Sequence, residues 1–244
     1  MKKVLFYILI IFLLNSCSDK DAFDCVKKSG TVRDYEITLS GGFDSLNISS
    51  NIDVDLIQGA HHRVVLTTGE NLFDDIRVEV ADGLLIFENN NTCNWARDYG
   101  VTKLQITTPD LRQIVYEGGG VFLSKTKLVF DTLTIDTKFS SGDFHLDIEA
   151  NELNITSTRI SNYYMTGSVN SLNLYYRSGD GRFYGKDLIA QHVSFYHFGT
   201  NDIMVYPVVS LEGTIDRYGN VIYYNDPINT PQVEELSKGR LIRK

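Results

Sequence analysis

The sequence predicts an all-β protein in which most strands stack as the coils of a solenoid. No stretch beyond the first sixteen residues keeps apolar side chains at i, i+3, i+4 and i+7 over three turns, so helices are not expected. Short runs instead alternate apolar and polar residues, and Gly, Asn, Asp or Ser bounds each run. In the second half of the chain these runs recur about every 20 residues. A large antiparallel β-sandwich is the alternative fold.

Strands are first expected over residues 43–88. Alternation there places one side of each strand on the core and the other in water. The polar stretch from Asn89 to Gly100 breaks the pattern and is expected to form a loop that contains Cys93 and Trp95. The clearest alternating runs before this loop are Leu46–Ile48, Ile52–Leu56, Val64–Leu66, Ile76–Val80 and Leu84–Ile86.

From about residue 104 onward the chain repeats a unit of strand, polar turn and strand. The turns are rich in Gly, Asn, Asp and Ser, which tolerate positive φ or cap their own backbone. One such unit cannot bury its apolar side alone, so stacked neighbours must share a core, as in a solenoid. A sandwich would vary its strand spacing more. The anchor residues are Ile114, Leu133, Leu153, Leu172, Val193 and Leu211, at steps of 19, 20, 19, 21 and 18 residues.

The chain is expected to divide into four segments. The stretch after residue 226 is charged and loses its alternation, so it should form a cap or a tail. The segments are a lipoprotein signal peptide over 1–16, a lipidated tether over 17–34, a single β-solenoid domain over 35–226, and a C-terminal cap or disordered tail over 227–244.

The first seventeen residues indicate export. Lys2 and Lys3 precede an apolar run from Val4 to Leu14, which is too short to span a bilayer and is typical of a secretory signal peptide. The residues leading to Cys17 resemble a lipobox, so we expect lipid on Cys17; an ordinary signal peptide with a chance cysteine is the alternative. Ser18 favours the outer membrane or the cell surface over inner-membrane retention.

Charge and cysteine content limit the partners. The net charge is −8, and removal of residues 1–16 takes away two lysines and leaves −10. A nucleic-acid partner or an anionic lipid surface would require a basic footprint, so neither is expected, and the membrane link would be the lipid anchor. Cys25 and Cys93 remain as a pair that could form one disulfide outside the cytoplasm or stay as two buried thiols.

Motifs for catalysis or metal binding are not found. His61 and His62 are adjacent and would point apart, whereas His192 and His197 would lie on opposite sides of a strand. No Gly-x-Ser-x-Gly motif is present, and the run of glycines from Gly118 to Gly120 has no helix after it. We therefore expect neither an enzyme nor a metal or cofactor site.

Acidic turn residues leave one catalytic alternative open. Asp143, Asp180 and Asn201 could line one edge of a solenoid, and carboxylates on neighbouring coils would be about 5 Å apart. Any charged turn residue repeated along a solenoid gives the same spacing. A polysaccharide-active enzyme is therefore only a minor alternative.

Tyrosine is concentrated in the last third of the chain. Ten of the 14 tyrosines lie between residues 163 and 224. Tyrosine on an exposed sheet can bind sugar rings or a protein partner, and the alternative is a cross-strand ladder that only stabilises the sheet. The candidate binding face consists of Tyr164, Tyr176, Tyr184, Tyr196 and Arg182.

Three blocks near the front of the chain share a characteristic order of strands and turns: Phe43–Gly59, Val65–Ile86 and Val101–Leu111. Together these blocks resemble the head GIN domain family, whose members are described as putative auto-transporter adhesins and are frequent among Bacteroidetes lipoproteins. The resemblance implies a right-handed β-helix-like fold at the cell envelope and supplies no catalytic residues. It predicts an adhesin-like binding domain for a glycan or an envelope protein, with a structural envelope component as the alternative.

Overall fold

A computed structural model describes residues 28–91 and 101–244. Within these ranges the chain forms strands and no α-helix, and a single 3-10 turn lies at Phe73–Asp75. The strands are β1 (Val32–Glu36), β2 (Ser45–Ser49), β3 (Asp53–Gln58), β4 (Arg63–Gly69), β5 (Ile76–Ala81), β6 (Leu84–Asn89), β7 (Lys103–Thr108), β8 (Gln113–Tyr116), β9 (Val121–Ser124), β10 (Leu128–Thr137), β11 (Asp143–Ser157), β12 (Asn162–Tyr176), β13 (Arg182–His197), β14 (Ile203–Ile215), β15 (Val221–Tyr223), β16 (Gln232–Glu235) and β17 (Leu241–Arg243).

Most strands stack in parallel as a β-solenoid with coils of about 20 residues and about seven turns. From β8 onward every paired neighbour is parallel, which confirms the solenoid and excludes an antiparallel sandwich. Parallel pairing requires a crossover between successive strands, and here the rest of each coil is that crossover.

Each of β11 to β14 turns a corner near its middle. In β11, Asn151 and Glu152 both face outward, so the inward–outward alternation changes phase between Ala150 and Leu153, which both point inward. The two halves of each strand therefore belong to two faces. Face A stacks β7, β3, β9, the first halves of β11 to β14, β15 and β17. Face B stacks β6, β2, β8, the end of β10, the second halves of β11 to β14, and β16.

The observed register confirms most of the sequence repeat. Leu133 pairs with Leu153, Leu153 with Leu172, Leu172 with Val193, and Val193 with Leu211. The first predicted step is wrong, because Ile114 pairs with Ile135. Strands β8 and β9 are short and separate. The coil that they begin therefore contains more residues than the spacing of the apolar residues predicted.

The N-terminal coils do not follow chain order. The coil of β2 and β3 lies between the coil of β6 and β7 and that of β8 and β9. Antiparallel strands β4 and β1 extend face A beyond β7, and β5 pairs with β6 on face B. These strands end the parallel stack on the N-terminal side, and β1 and β5 become its edge strands. The glycine run packs closely against the inserted coil. A larger residue would clash there, because a Cβ on Gly118 would be 2.2 Å from the carbonyl oxygen of Ser50.

The expected segment boundaries differ from the structure at both ends. Strand β1 starts at Val32, inside the stretch expected to be tether. Residues 227–244, expected as a cap or a disordered tail, form β16 and β17 in parallel register with β14 and β15 and add a further coil.

A column of aromatic rings fills the core behind face A. Phe122 and Phe144 stack with ring centroids 4.7 Å apart, and Phe144 stacks on Tyr163 at 5.2 Å. Each ring belongs to a successive coil, so the parallel register itself produces the column. The Tyr163 hydroxyl lies 2.7 Å from Thr137 Oγ1, and burial raises the pKa of Tyr163 to about 12. The tyrosine therefore stays neutral and satisfies its polar atom inside the core.

Substitutions at two adjacent positions of β11 test the inward–outward assignment. Phe144→Ala removes a fully buried ring and is expected to destabilise the fold by about 3–5 kcal/mol. His145→Ala removes an outward ring that stacks on Tyr164 and should cost less than about 1 kcal/mol. Urea-denaturation curves followed by circular dichroism compare the two variants, and equal losses of stability would contradict the assignment.

Candidate functional site

The predicted tyrosine face is divided between two faces of the solenoid. Tyr164 and Tyr184 point outward on face A together with Arg182, whereas Tyr196 points outward on face B. Tyr176 has no exposed surface and lies in the core, so its expected place on the exposed face is wrong. The cause is strand alternation, which turns its neighbour Tyr175 outward.

The sequence contained a signal for which of the two adjacent tyrosines on β12 points outward. Leu172 and Leu174 point inward on β12, and Tyr176 continues their period of two. Tyr175 is out of phase with them and is 46% exposed. Strict counting from the anchor leucine would therefore have selected Tyr175 and not Tyr176.

On face A the aromatic side chains form a closed ladder, that is, a stack of rings that cover one another. The rings of His145 and Tyr164 are 4.3 Å apart and those of Tyr164 and Tyr184 are 4.6 Å apart, with interplanar angles of 10° and 7°. Arg182 donates from Nη1 to the Tyr184 hydroxyl at 3.4 Å and from Nη2 to Asn201 Oδ1 at 3.3 Å. Because the rings cover one another, this ladder presents ring edges and hydroxyls to solvent. It fits the cross-strand ladder that was the alternative interpretation of the tyrosines.

On face B the side chains form an open groove of about 370 Å³. The Tyr175 and Tyr196 rings are 5.3 Å apart and tilted by 33°, so they do not cover each other as the face A rings do. Asn173 Nδ2 donates to Asn154 Oδ1 at 2.8 Å, and the Tyr196 hydroxyl donates to Asp216 at 2.9 Å. The outward groups of the groove are those of Asn154, Thr156, Asn173, Tyr175, Ser194 and Tyr196.

The arrangement of side chains along this groove follows directly from the coil register. Asn154 pairs with Asn173 and Asn173 with Ser194, while Thr156 pairs with Tyr175 and Tyr175 with Tyr196. Successive coils are about 4.7–4.9 Å apart, so one column of amides and a hydroxyl runs beside one column that ends in two tyrosines. A ligand that lies along the solenoid axis would meet both columns at once.

The acidic turn residues do not form a catalytic pair. Asp143 pairs across the coils with Asn162, whose Nδ2 donates to Asp143 Oδ1 at 2.9 Å, and Asn162 pairs with Arg182. Asp180 lies in a different turn and accepts a hydrogen bond from Thr200 Oγ1. Among residues 28–91 and 101–244, no three His, Cys, Asp or Glu side chains come close enough to hold a metal ion.

Several predicted features lie outside the described residues. They are the signal peptide, the lipidation site Cys17, and the pair Cys25 and Cys93, all of which stay predictions. Within the part of the chain that the structure describes, no helix is long and apolar enough to cross a membrane.

Several solved structures from Bacteroidetes share this fold. A putative adhesin from Bacteroides fragilis NCTC 9343 superimposes with a TM-score of 0.81 at 19% identity, covering 88% of this chain and 98% of that one. A putative adhesin from Parabacteroides distasonis ATCC 8503 gives 0.70 at 15% identity, over 88% and 98%. A putative lipid binding protein from the same strain gives 0.66 at 18% identity, over 88% and 99%. At these identities the similarity establishes the fold alone.

No curated protein sequence matches this chain significantly. The family described as "Putative auto-transporter adhesin, head GIN domain" matches residues 42–227, which contain most of the solenoid. This match confirms the family that the three front blocks indicated, and the chain belongs to the head GIN domain family.

Proposed function

We propose that this protein is a non-enzymatic, adhesin-like binding module of the cell envelope, and that the groove on face B binds a linear glycan. The tilted, partly exposed pair Tyr175 and Tyr196 beside the Asn154–Asn173 column is the observation that carries this proposal. The adhesin description of the family and of structural relatives supports a binding role at the cell surface.

The groups of the groove suit a sugar chain. A sugar ring has an apolar face that can lie on an aromatic ring, and it has hydroxyls that exchange hydrogen bonds with amides. Asn173 Nδ2 donates to Glu152 Oε1 and Asn154 Oδ1, so the Asn173 Oδ1 acceptor is the amide atom left for a sugar hydroxyl, and Ser194 adds a hydroxyl one coil further on. The repeat of similar groups at every coil favours a polymer that extends along the axis over a small compact ligand.

The proposed location rests on the N-terminal sequence. An apolar run and the residues around Cys17 support cleavage before Cys17 and lipid attachment there, with the outer membrane or the cell surface as the destination. The lipid would be the partner of the membrane, and the solenoid would extend away from it. A structural envelope role without a ligand is the second candidate, and the closed ladder of face A favours it, because that ladder stabilises the sheet without leaving a ring face free.

Tyrosine substitutions on the two faces test the glycan site. In Tyr175→Ala/Tyr196→Ala, loss of two aromatic contacts of about 0.5–1.5 kcal/mol each should weaken glycan binding by about five- to 150-fold. A glycan array with the full-length protein in mild detergent identifies ligands, and titration gives the affinities.

The matched control is Tyr164→Ala/Tyr184→Ala, which removes the same side chains from face A. Unchanged binding in the control together with loss in the face B pair would support the site. Equal affinities of the two variants would rule out face B as the binding site. The absence of any glycan binding would favour the structural role instead.

The lipid anchor is tested at Cys17. The wild-type protein should partition with membranes and carry the mass of acyl chains on its mature N-terminus, whereas Cys17→Ser should lose both properties because its thiol is the acylation site. Membrane fractionation and intact mass spectrometry measure the two effects. A Cys17→Ser protein that keeps the wild-type acyl mass would contradict the assignment.

A further inference from the structure

A basic cavity lies at the turns beside the face B groove. It has a volume of about 450 Å³ and is adjacent to the groove, because Thr156 lines both. Among the described residues, its lining includes three cations, those of Lys138, Arg159 and Arg177, and one carboxylate, that of Asp136. Its residues come from three successive coils: Asp136, Lys138, Phe139, Thr156, Thr158, Arg159, Arg177 and Ser178.

The two arginines of this cavity lie over aromatic rings and have no acidic partner among the described residues. The Arg159 guanidinium is 5.1 Å from the Phe139 ring centroid, and that of Arg177 is 5.9 Å from the Tyr175 centroid. Neither side chain makes a hydrogen bond or an ion pair with any residue in the described ranges. By contrast, Arg63 and Arg77 on the N-terminal strands are each bound to glutamate.

These cation–π contacts leave the guanidinium donors available. The N–H bonds lie in the plane of the group and can form two parallel hydrogen bonds to a carboxylate or a sulfate. The Lys138 ammonium is 3.8 Å from Asp136, so the two form a loose surface pair that offsets the charge of this carboxylate. The cavity therefore has a local excess of positive charge on a protein whose net charge is −8.

Phe139 shows that this turn is under strain. Its φ of +51° is in the left-handed region, where a bulky aromatic side chain is a rare outlier. The side chain is 74% exposed, so burial does not offset the cost. Strained exposed residues cluster at binding sites, and here the strain places an aromatic ring against Arg159.

We propose that this cavity binds the acidic groups of a polysaccharide whose sugar rings lie on Tyr175 and Tyr196. The polymer on face B is then an acidic polysaccharide, with carboxylate or sulfate groups on Arg159 and Arg177. This inference rests on the glycan function proposed above and specifies its ligand. A flat lipid surface is disfavoured, because the amide and tyrosine columns beside the cavity match sugars and not lipid headgroups.

Arginine substitutions with a charge-matched control test the proposal. Arg159→Gln/Arg177→Gln should weaken binding of polygalacturonate to the full-length protein in mild detergent by at least about tenfold, because each arginine supplies charge-assisted hydrogen bonds. Arg33→Gln/Arg77→Gln lowers the net charge by the same amount on β1 and β5, where both arginines are paired with glutamates, and should leave binding unchanged. Biolayer interferometry gives the affinities.

The choice of probes separates the ligand chemistries. Polygalacturonate carries carboxylates, chondroitin sulfate carries carboxylates and sulfates, dextran is neutral, and vesicles with anionic phospholipid supply a lipid surface. Preference for either acidic polymer over dextran, lost in the Arg159/Arg177 variant, supports the inference. Equal binding of dextran would overturn the acidic ligand while leaving the glycan function intact. Binding only to vesicles, or an equal loss of binding in the charge-matched control, would also overturn the inference. If no polysaccharide binds at all, both the inference and the proposed function are overturned.

A substitution at the strained residue separates binding from folding. Phe139→Gly relieves the left-handed backbone and removes the ring that supports Arg159, so the thermal midpoint should stay the same or rise while polygalacturonate binding weakens several-fold. A variant with undiminished binding would show that the ring has no part in the site.

Discussion

The parallel register between coils, repeated about every 20 residues, is the constraint on which the rest of the structure depends. It places each side chain directly over its counterpart one coil away, about 4.7–4.9 Å along the axis. Inside, it stacks Phe122, Phe144 and Tyr163 into one column. Outside, it aligns Asn154 with Asn173 and Tyr175 with Tyr196. The core and the candidate site therefore result from the same hydrogen-bonding pattern.

The same register gives different surfaces on the two faces because the geometry of the rings differs. On face A the near-parallel rings of Tyr164 and Tyr184 cover each other, so their attraction is used within the sheet. On face B the rings of Tyr175 and Tyr196 are tilted, and the groove beside them is adjacent to a turn with two arginines that have no acidic partner in the described chain. A repeated sequence can thus build a structural ladder and a binding groove on one solenoid.

Much of the fold could be predicted from the sequence, because the signal is local and repeated. The steps from Leu133 to Leu211 gave the observed register, since apolar periodicity directly reports burial. The insertion of the β2–β3 coil between two later coils could not be predicted, because no local pattern encodes which strands become neighbours. Tyr175 could have been found by its phase on β12, whereas the left-handed backbone of Phe139 has no sequence signal, since Gly or Asn usually occupies such positions.

A crystal structure of the protein with a bound oligogalacturonide tests the central claim most directly, because it locates the ligand on the solenoid. We expect sugar rings on Tyr175 and Tyr196 and a carboxylate at about 2.7–2.9 Å from the guanidinium of Arg159 or Arg177. Sugar bound on face A or at an end of the solenoid would contradict the assignment of face B, as would an empty groove at a saturating ligand concentration.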